Sequence, residues 1–173
     1  AGDYESNTSV TREVVRVSHA FGATVEGEIG HVGEASTCDN ATSDRYTTVE
    51  EAKKYLADTG VDALAIAIGT AHGAYKAKPC LDLERLAQIR AATDTPLVLH
   101  GGSGLSDDDF RNTVARGIAK VNIFTDLCLA GEAGMKEGLE KGIGYLEMRN
   151  LKKDFIKRAV MRKIELFGSA GRA

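Results

Sequence analysis

Apolar residues recur along this chain with two alternating periods. Val10, Val14, Val17 and Phe21 fall at helical spacing, which predicts an amphipathic helix over roughly Ser9 to Phe21, stopped by Gly22. Thr24 to Ile29 then reads as a short strand ended by Gly30, with Glu26 and Glu28 on one side. Residues 34–45 are polar and read as a loop. Thr48-Val49-Glu50-Glu51 has the form of a capping box, and the helix it opens is expected to run to about Asp58. Ala63 to Ile68 is a continuous apolar run of strand length, as a strand buried on both faces requires. Asp82 is placed to cap a helix through Leu83, Leu86 and Ile89. Pro96 to Leu99 reads as another buried strand, Ser106 opens a helix with acidic residues at its positive end, and Lys120 to Phe124 reads as a fourth strand. Two helical stretches follow, near Leu127 to Lys141 and Leu151 to Phe167.

A helix followed by repeated strand–helix units predicts parallel α/β architecture in a single domain. Four strands are too few to close an eight-stranded barrel of ~250 residues, so the pattern fits either a small open sheet or part of a barrel.

In such folds functional groups gather just past the C-terminal ends of the strands. The first strand is followed by Gly30-His31-Val32-Gly33-Glu34, the second by Gly69-Thr70-Ala71-His72-Gly73. His100-Gly101-Gly102-Ser103-Gly104 follows the third, and Thr125-Asp126 the fourth, which holds Asn122. His72 and His100 thus end consecutive strands, and neighbouring strands lie about 4.8 Å apart. Two imidazoles at one level can converge on a zinc ion, although a catalytic zinc usually takes three protein ligands; the alternative is that each His hydrogen-bonds locally. Gly101-Gly102-Ser103-Gly104 is suited to cradle phosphate through backbone N–H groups and the Ser103 hydroxyl, or else forms only a tight turn. Lys76, four residues past His72, strengthens the phosphate reading. Glu26 and Glu28 can bind a cation, orient a ligand or form an ion-paired strand edge. The charges of Lys152-Lys153, Lys157-Arg158 and Arg162-Lys163 read as a solvated helix face, and His19 as a surface residue.

Composition narrows the partners. Lys and Arg total 22 against 25 Asp and Glu, a net charge of −3, so no basic excess exists to neutralise a nucleic-acid backbone. No apolar run approaches the ~20 residues of a membrane span. Cys38, Cys80 and Cys128 are odd in number and far apart, which predicts free thiols in a reducing cytoplasm rather than disulfides or a zinc cluster. Ala1-Gly2-Asp3-Tyr4 is neither a signal peptide nor a start with Met.

Taken in order, these segments resemble the class II ketose-bisphosphate aldolases of fructose- or tagatose-bisphosphate type. The resemblance rests on Val25-Glu26-Gly27-Glu28-Ile29-Gly30, Gly60-Val61-Asp62-Ala63-Leu64-Ala65, Ile68-Gly69-Thr70-Ala71-His72-Gly73, Pro96 to Gly104, Lys120-Val121-Asn122-Ile123 and the tail Phe167 to Gly171. It implies a (β/α)8 TIM barrel, with this chain supplying about strands five to eight and the C-terminal helices. It also implies a zinc-dependent lyase of carbohydrate metabolism that cleaves a ketose bisphosphate to dihydroxyacetone phosphate and an aldehyde. His72 and His100 are then two of three zinc ligands, and Glu28 matches an acidic position used for an auxiliary cation. Gly73, Lys76, Gly101, Gly102, Ser103, Asn122 and Thr125 hold the phosphate and hydroxyls of the substrate. A monovalent cation, Na+ or K+, is expected beside the two His segments. Zinc polarises the substrate ketone and stabilises the enediolate. Glu34 is the acid nearest the place where the family keeps its proton-abstracting glutamate, and Ala35 and Ser36 follow where relatives carry further acids.

Three departures matter. Phe124 replaces an acid that touches sugar hydroxyls, Cys128 replaces a base that helps hold the distal phosphate, and the His-Leu-Asp-His segment that supplies a third zinc ligand and an Asp is not in this chain. The alternatives are therefore a sugar-phosphate-binding half-barrel without turnover, or an aldolase for another phosphorylated keto-sugar. The expected partners are a sugar-phosphate substrate, an N-terminal barrel half pairing with the strands at Val25 and Val121, and further copies in a homodimer or homotetramer. The chain alone is expected to be inactive.

Overall fold

The computed structural model describes residues 3–30, 33–34, 46–72 and 79–172, with 33, 34 and 72 as backbone alone. Helix α1 (Tyr4–Ala20) starts five residues before the predicted Ser9, because the Asp3 carboxylate accepts from the Ser6 N–H and caps it. Strand β1 (Glu26–Ile29) follows, then the short β2 (Gly33–Glu34). Helix α2 (Val49–Thr59) opens on the expected Thr48–Glu51 capping box and ends at Gly60. Next come β3 (Ala63–Ile66), the short β4 (Ala71–His72), α3 (Leu83–Ala92), capped by Asp82, and β5 (Leu97–Leu99). Helix α4 (Asp107–Ala115) has a second capping box, Ser106 with Asp109. Strand β6 (Ile118–Val121), α5 (Thr125–Glu140) and α6 (Tyr145–Leu166) complete the chain.

The four longer strands form one parallel sheet in the order β1-β3-β5-β6. Each strand lies beside the next in sequence, with a helical crossover between. That is how a barrel arc grows, whereas a doubly wound sheet reverses its order at a switch point. With six helices among the described residues, the chain forms a (β/α)4 half of a TIM barrel. Strands β2 and β4 pair separately, in parallel, beyond the ends of β1 and β3.

Leu64, Ile66, Ile68, Leu97 and Leu99 are fully buried and join Leu86 and Ile89 of α3, Tyr55 of α2 and Phe110 of α4 in one core. Glu28, Ala65, Val98 and Lys120 lie at one level across the sheet. A bulge between Leu97 and Val98 in the β5–β6 pairing sets Lys120 opposite Val98.

Three expectations change. Val10, Val14 and Val17 do lie on α1, with Phe21 just past its end, but the stripe faces away from the core, with Phe21 86% exposed; α1 packs instead through Tyr4, Thr8 and Val15. The fourth strand begins and ends earlier than Lys120 to Phe124, so Asn122 lies one residue past β6, still donating its N–H to the Leu99 carbonyl. Lys163 is not solvated but ion-paired to Asp126 at 2.8 Å.

Candidate active site at the strand ends

His100 stands directly after β5, and two carboxylates from β1 hold its ring. Glu28 Oε2 lies 2.9 Å from Nδ1 and Glu26 Oε1 lies 3.0 Å from Nε2. Glu26 and Glu28 share a face of β1, as strand alternation predicts, while the alternate residues Gly27 and Ile29 are buried. The other oxygen of Glu26 accepts from Lys120 Nζ at 2.8 Å. Lys120 is on β6 and Glu26 on β1, the two outer strands of the sheet. An ion pair across two intervening strands requires both side chains to project from one face and the sheet to curve toward it. Ala63 and Ala65 of β3, the neighbours of Glu26 and Glu28, add little bulk between them. Burial alone pushes the Glu26 carboxyl up, but the hydrogen bonds and charges of Lys120 and His100 outweigh it and hold the group below its ordinary value.

The glycine loop follows His100. Gly101 has φ +66°, and a Cβ there would stand 2.5 Å from the Ala71 carbonyl oxygen, so the loop lies against the backbone of β4 next to His72. A Cβ on Gly102 would meet Val121 Cγ1 at 2.9 Å. The buried Ser103 places its Oγ 3.3 Å from the Phe124 N–H and 3.4 Å from the Asp126 N–H, accepting from both. It therefore caps α5, where Phe124 supplies no side-chain cap. Thr125 is the first residue of that helix, so the glycine loop and a helix N-terminus meet, a combination suited to anions.

Glu34 and His72 are register partners across the β2–β4 pair, which sets their backbones side by side. Gly73 and Lys76 lie outside the described residues, as do Ala35, Ser36 and Cys38. Thr47 was not singled out from sequence, yet it is fully buried and ties two strand ends together. Its Oγ1 donates to the Ile29 carbonyl at 3.0 Å and accepts from the Ala67 N–H at 2.9 Å. Lys120 was likewise missed as part of the site, since sequence spacing carries no sign of a partner 94 residues away.

Among the described residues no three His, Cys, Asp or Glu side chains form a ready metal cluster. The donor chemistry of His100 nevertheless fits a zinc ligand. A ligating imidazole uses one nitrogen for the metal and donates the other N–H to an acceptor such as a carboxylate, and here a carboxylate stands at each nitrogen. The buried Thr70 hydroxyl, two residues before His72, finds no hydrogen-bond partner among the described residues.

The family model described as fructose-bisphosphate aldolase class-II matches residues 1–172. The YdjI protein of Escherichia coli strain K12 is 41% identical over 174 residues, covering 100% of this chain and 62% of that protein. A fructose-bisphosphate aldolase of Thermus caldophilus is 37% identical over 199 residues, covering 99% of this chain and 65% of its own length. The crystal structure of the YdjI aldolase superimposes with a TM-score of 0.86 at 37% identity, over 99% of this chain and 60% of that one. The chain thus spans about three-fifths of the length of these relatives.

Proposed function

Because the chain belongs to the class II fructose-bisphosphate aldolase family, we propose that it forms the C-terminal (β/α)4 portion of a zinc-dependent aldolase for a phosphorylated keto-sugar. The reaction splits the sugar to dihydroxyacetone phosphate and an aldehyde. The observation that carries this reading is the meeting of His100, its two carboxylates and the glycine loop on the N-terminus of α5. His72 and His100 would hold zinc, with Glu28 beside them serving the metal or an auxiliary cation. Zinc bound there supplies Lewis acidity toward the substrate ketone. Gly73, Lys76, Gly101, Gly102 and Ser103 bind the phosphate, and Asn122 and Thr125 orient the hydroxyls. Glu34, whose backbone adjoins His72, takes the proton. A Na+ or K+ ion would be held beside the His segments, where Thr70 offers its buried hydroxyl.

The substrate is a keto-sugar phosphate other than fructose 1,6-bisphosphate. Phe124, 76% exposed, and Cys128 line an apolar groove with Leu127 at the start of α5, where the family has an acid and a base. Assays of fructose and tagatose bisphosphates and their monophosphates test this: poor turnover of fructose 1,6-bisphosphate is expected, and a clear preference for it refutes the assignment.

An N-terminal barrel half and further copies of the protein complete the reading. Strands β1 and β6 are the outer strands of the sheet, and α1 presents an exposed apolar stripe. Exposed Leu139, Tyr145 and Leu146 around the α5–α6 turn suit a homodimer or homotetramer contact. The exposed thiols of Cys80 and Cys128 suit a cytoplasmic setting, and no described helix is long and apolar enough to cross a membrane. A second reading rests on the ligand count. With His72 and His100 but no His-Leu-Asp-His segment, the 173-residue chain by itself binds sugar phosphate without turnover. Aldol cleavage and zinc stoichiometry of this chain joined to an N-terminal barrel half separate the two: turnover there supports the first reading, and sugar-phosphate binding without turnover the second.

A further inference from the structure

The ring of His100 has two faces to offer, and its neighbours are not equivalent. Glu26, at Nε2, is itself anchored: its second oxygen accepts from Lys120 at 2.8 Å. Glu28, at Nδ1, has the more exposed side chain, 43% against 28% for Glu26. We propose that Lys120 and Glu26 form a positioning pair that holds the Nε2–H of His100 and so presents Nδ1 to the metal. This rests on the zinc reading above. A neutral imidazole carries one N–H, and the hydrogen bond at one nitrogen decides which nitrogen keeps a lone pair for a metal. Lys120 never touches the metal or the substrate in this scheme. It acts through Glu26, by fixing the carboxylate that accepts from Nε2–H, so that Glu28, 2.9 Å from Nδ1 and without that lysine, is the one that gives way to the metal. The bridge spans the sheet from one outer strand to the other, so it also couples the ring's orientation to the curvature of the sheet.

The test uses this chain assembled with an N-terminal barrel half, loaded with zinc. Long-range 15N–1H NMR of the wild type is expected to place the proton of His100 on Nε2 and the metal on Nδ1. Zinc affinity is then measured by chelator competition for Glu26→Gln, Lys120→Met and Lys120→Arg. Loss of such an orienting group typically weakens metal binding about 10–100-fold. We expect Glu26→Gln in that range, Lys120→Met at its lower end, and Lys120→Arg restored to near the wild-type value. A purely structural role would lower the melting temperature of the metal-free protein but leave the tautomer and the zinc affinity unchanged. Ligation through Nε2, or wild-type zinc affinity in both Glu26→Gln and Lys120→Met, overturns the proposal. His100→Ala is the separate control, for if that variant binds zinc as tightly as the wild type, it is the zinc reading that fails. Should Lys120→Met fail to fold, the wild-type tautomer and the Glu26→Gln and Lys120→Arg variants still decide the matter.

Discussion

Lys163, on α6, holds its ammonium 2.8 Å from the carboxylate of Asp126 in the first turn of α5. The same ammonium lies 4.4 Å from the centre of the Phe110 ring on α4. One side chain thus joins three helices, and both members of the pair are only about a fifth exposed. Lys163→Met keeps the stem and removes the charge. It should cost on the order of 1–2 kcal/mol, between the values of exposed and buried pairs. Lys157→Met, on the exposed face of the same helix, should change stability by less than about 0.5 kcal/mol. Urea unfolding of both variants checks the contrast.

Ser103 has two duties that can be separated. Its oxygen accepts from the Phe124 and Asp126 N–H groups, while its single hydroxyl proton remains to be donated to an anion. Ser103→Ala should lower stability by about 1–2 kcal/mol through the orphaned N–H groups and weaken phosphate binding, with zinc content unchanged. Calorimetric titration with dihydroxyacetone phosphate and metal analysis read these effects. A variant that lost zinc but bound phosphate normally would reverse the assignment.

Gly101 admits no side chain on two counts. Its φ of +66° disfavours any L-residue, and a Cβ would press on the Ala71 carbonyl, a backbone atom that cannot swing aside. Gly101→Ala should cost more than the ~1 kcal/mol of the dihedral alone and should displace His72. Loss of zinc binding greater than that of Gly60→Ala, whose φ of +71° is met by open space, would register the displacement.

Asp62 ties α1 to the start of β1. Its Oδ2 lies 2.9 Å from His19 Nε2 and accepts from the Val25 N–H at 2.7 Å. The His19 hydrogen bond, then that of Val25, hold its pKa below the ordinary 3.8. A carboxylate lowered on folding contributes stability that is complete above its unfolded pKa and lost as pH falls through its folded one. Wild type should therefore exceed Asp62→Asn by a constant margin at neutral pH. That margin should shrink as pH drops below 3.8. Urea midpoints against pH for the two proteins provide the comparison.

What could be read from sequence was local. Thr48, Asp82 and Ser106 announce helix starts because each caps an N–H three residues away, within one turn of chain. The buried strands announce themselves by unbroken apolar runs. The face of α1 did not, because valines at helical spacing mark a stripe without saying what covers it. Nor did the end of β6: Asn122 keeps its ladder bond while Phe124 already turns into α5, and alternating apolar residues span both. The site was half legible. His72, His100 and the glycines stand at strand ends, whereas the bridge from Glu26 to Lys120 depends on sheet curvature that no short window encodes.

The pairing of α5 with α6 bears on how the molecule breathes. Gly131, Gly134 and Gly138 lie where any Cβ would come within 3.0–3.2 Å of α6 atoms, so the two helices approach closely along this seam. No residue of α6 is fully buried, and its contacts are mostly with α5, with few to α4. A helix fastened mainly to its neighbour can detach without disturbing the strands. The C-terminal hairpin should thus open ahead of the sheet, although Lys163 and Phe167 touch Phe110: amides of α6 should exchange with solvent deuterium through a partial opening, while those of β3 and β5 await unfolding of the whole. Equal protection across both regions would mean that the arc and its hairpin melt as one.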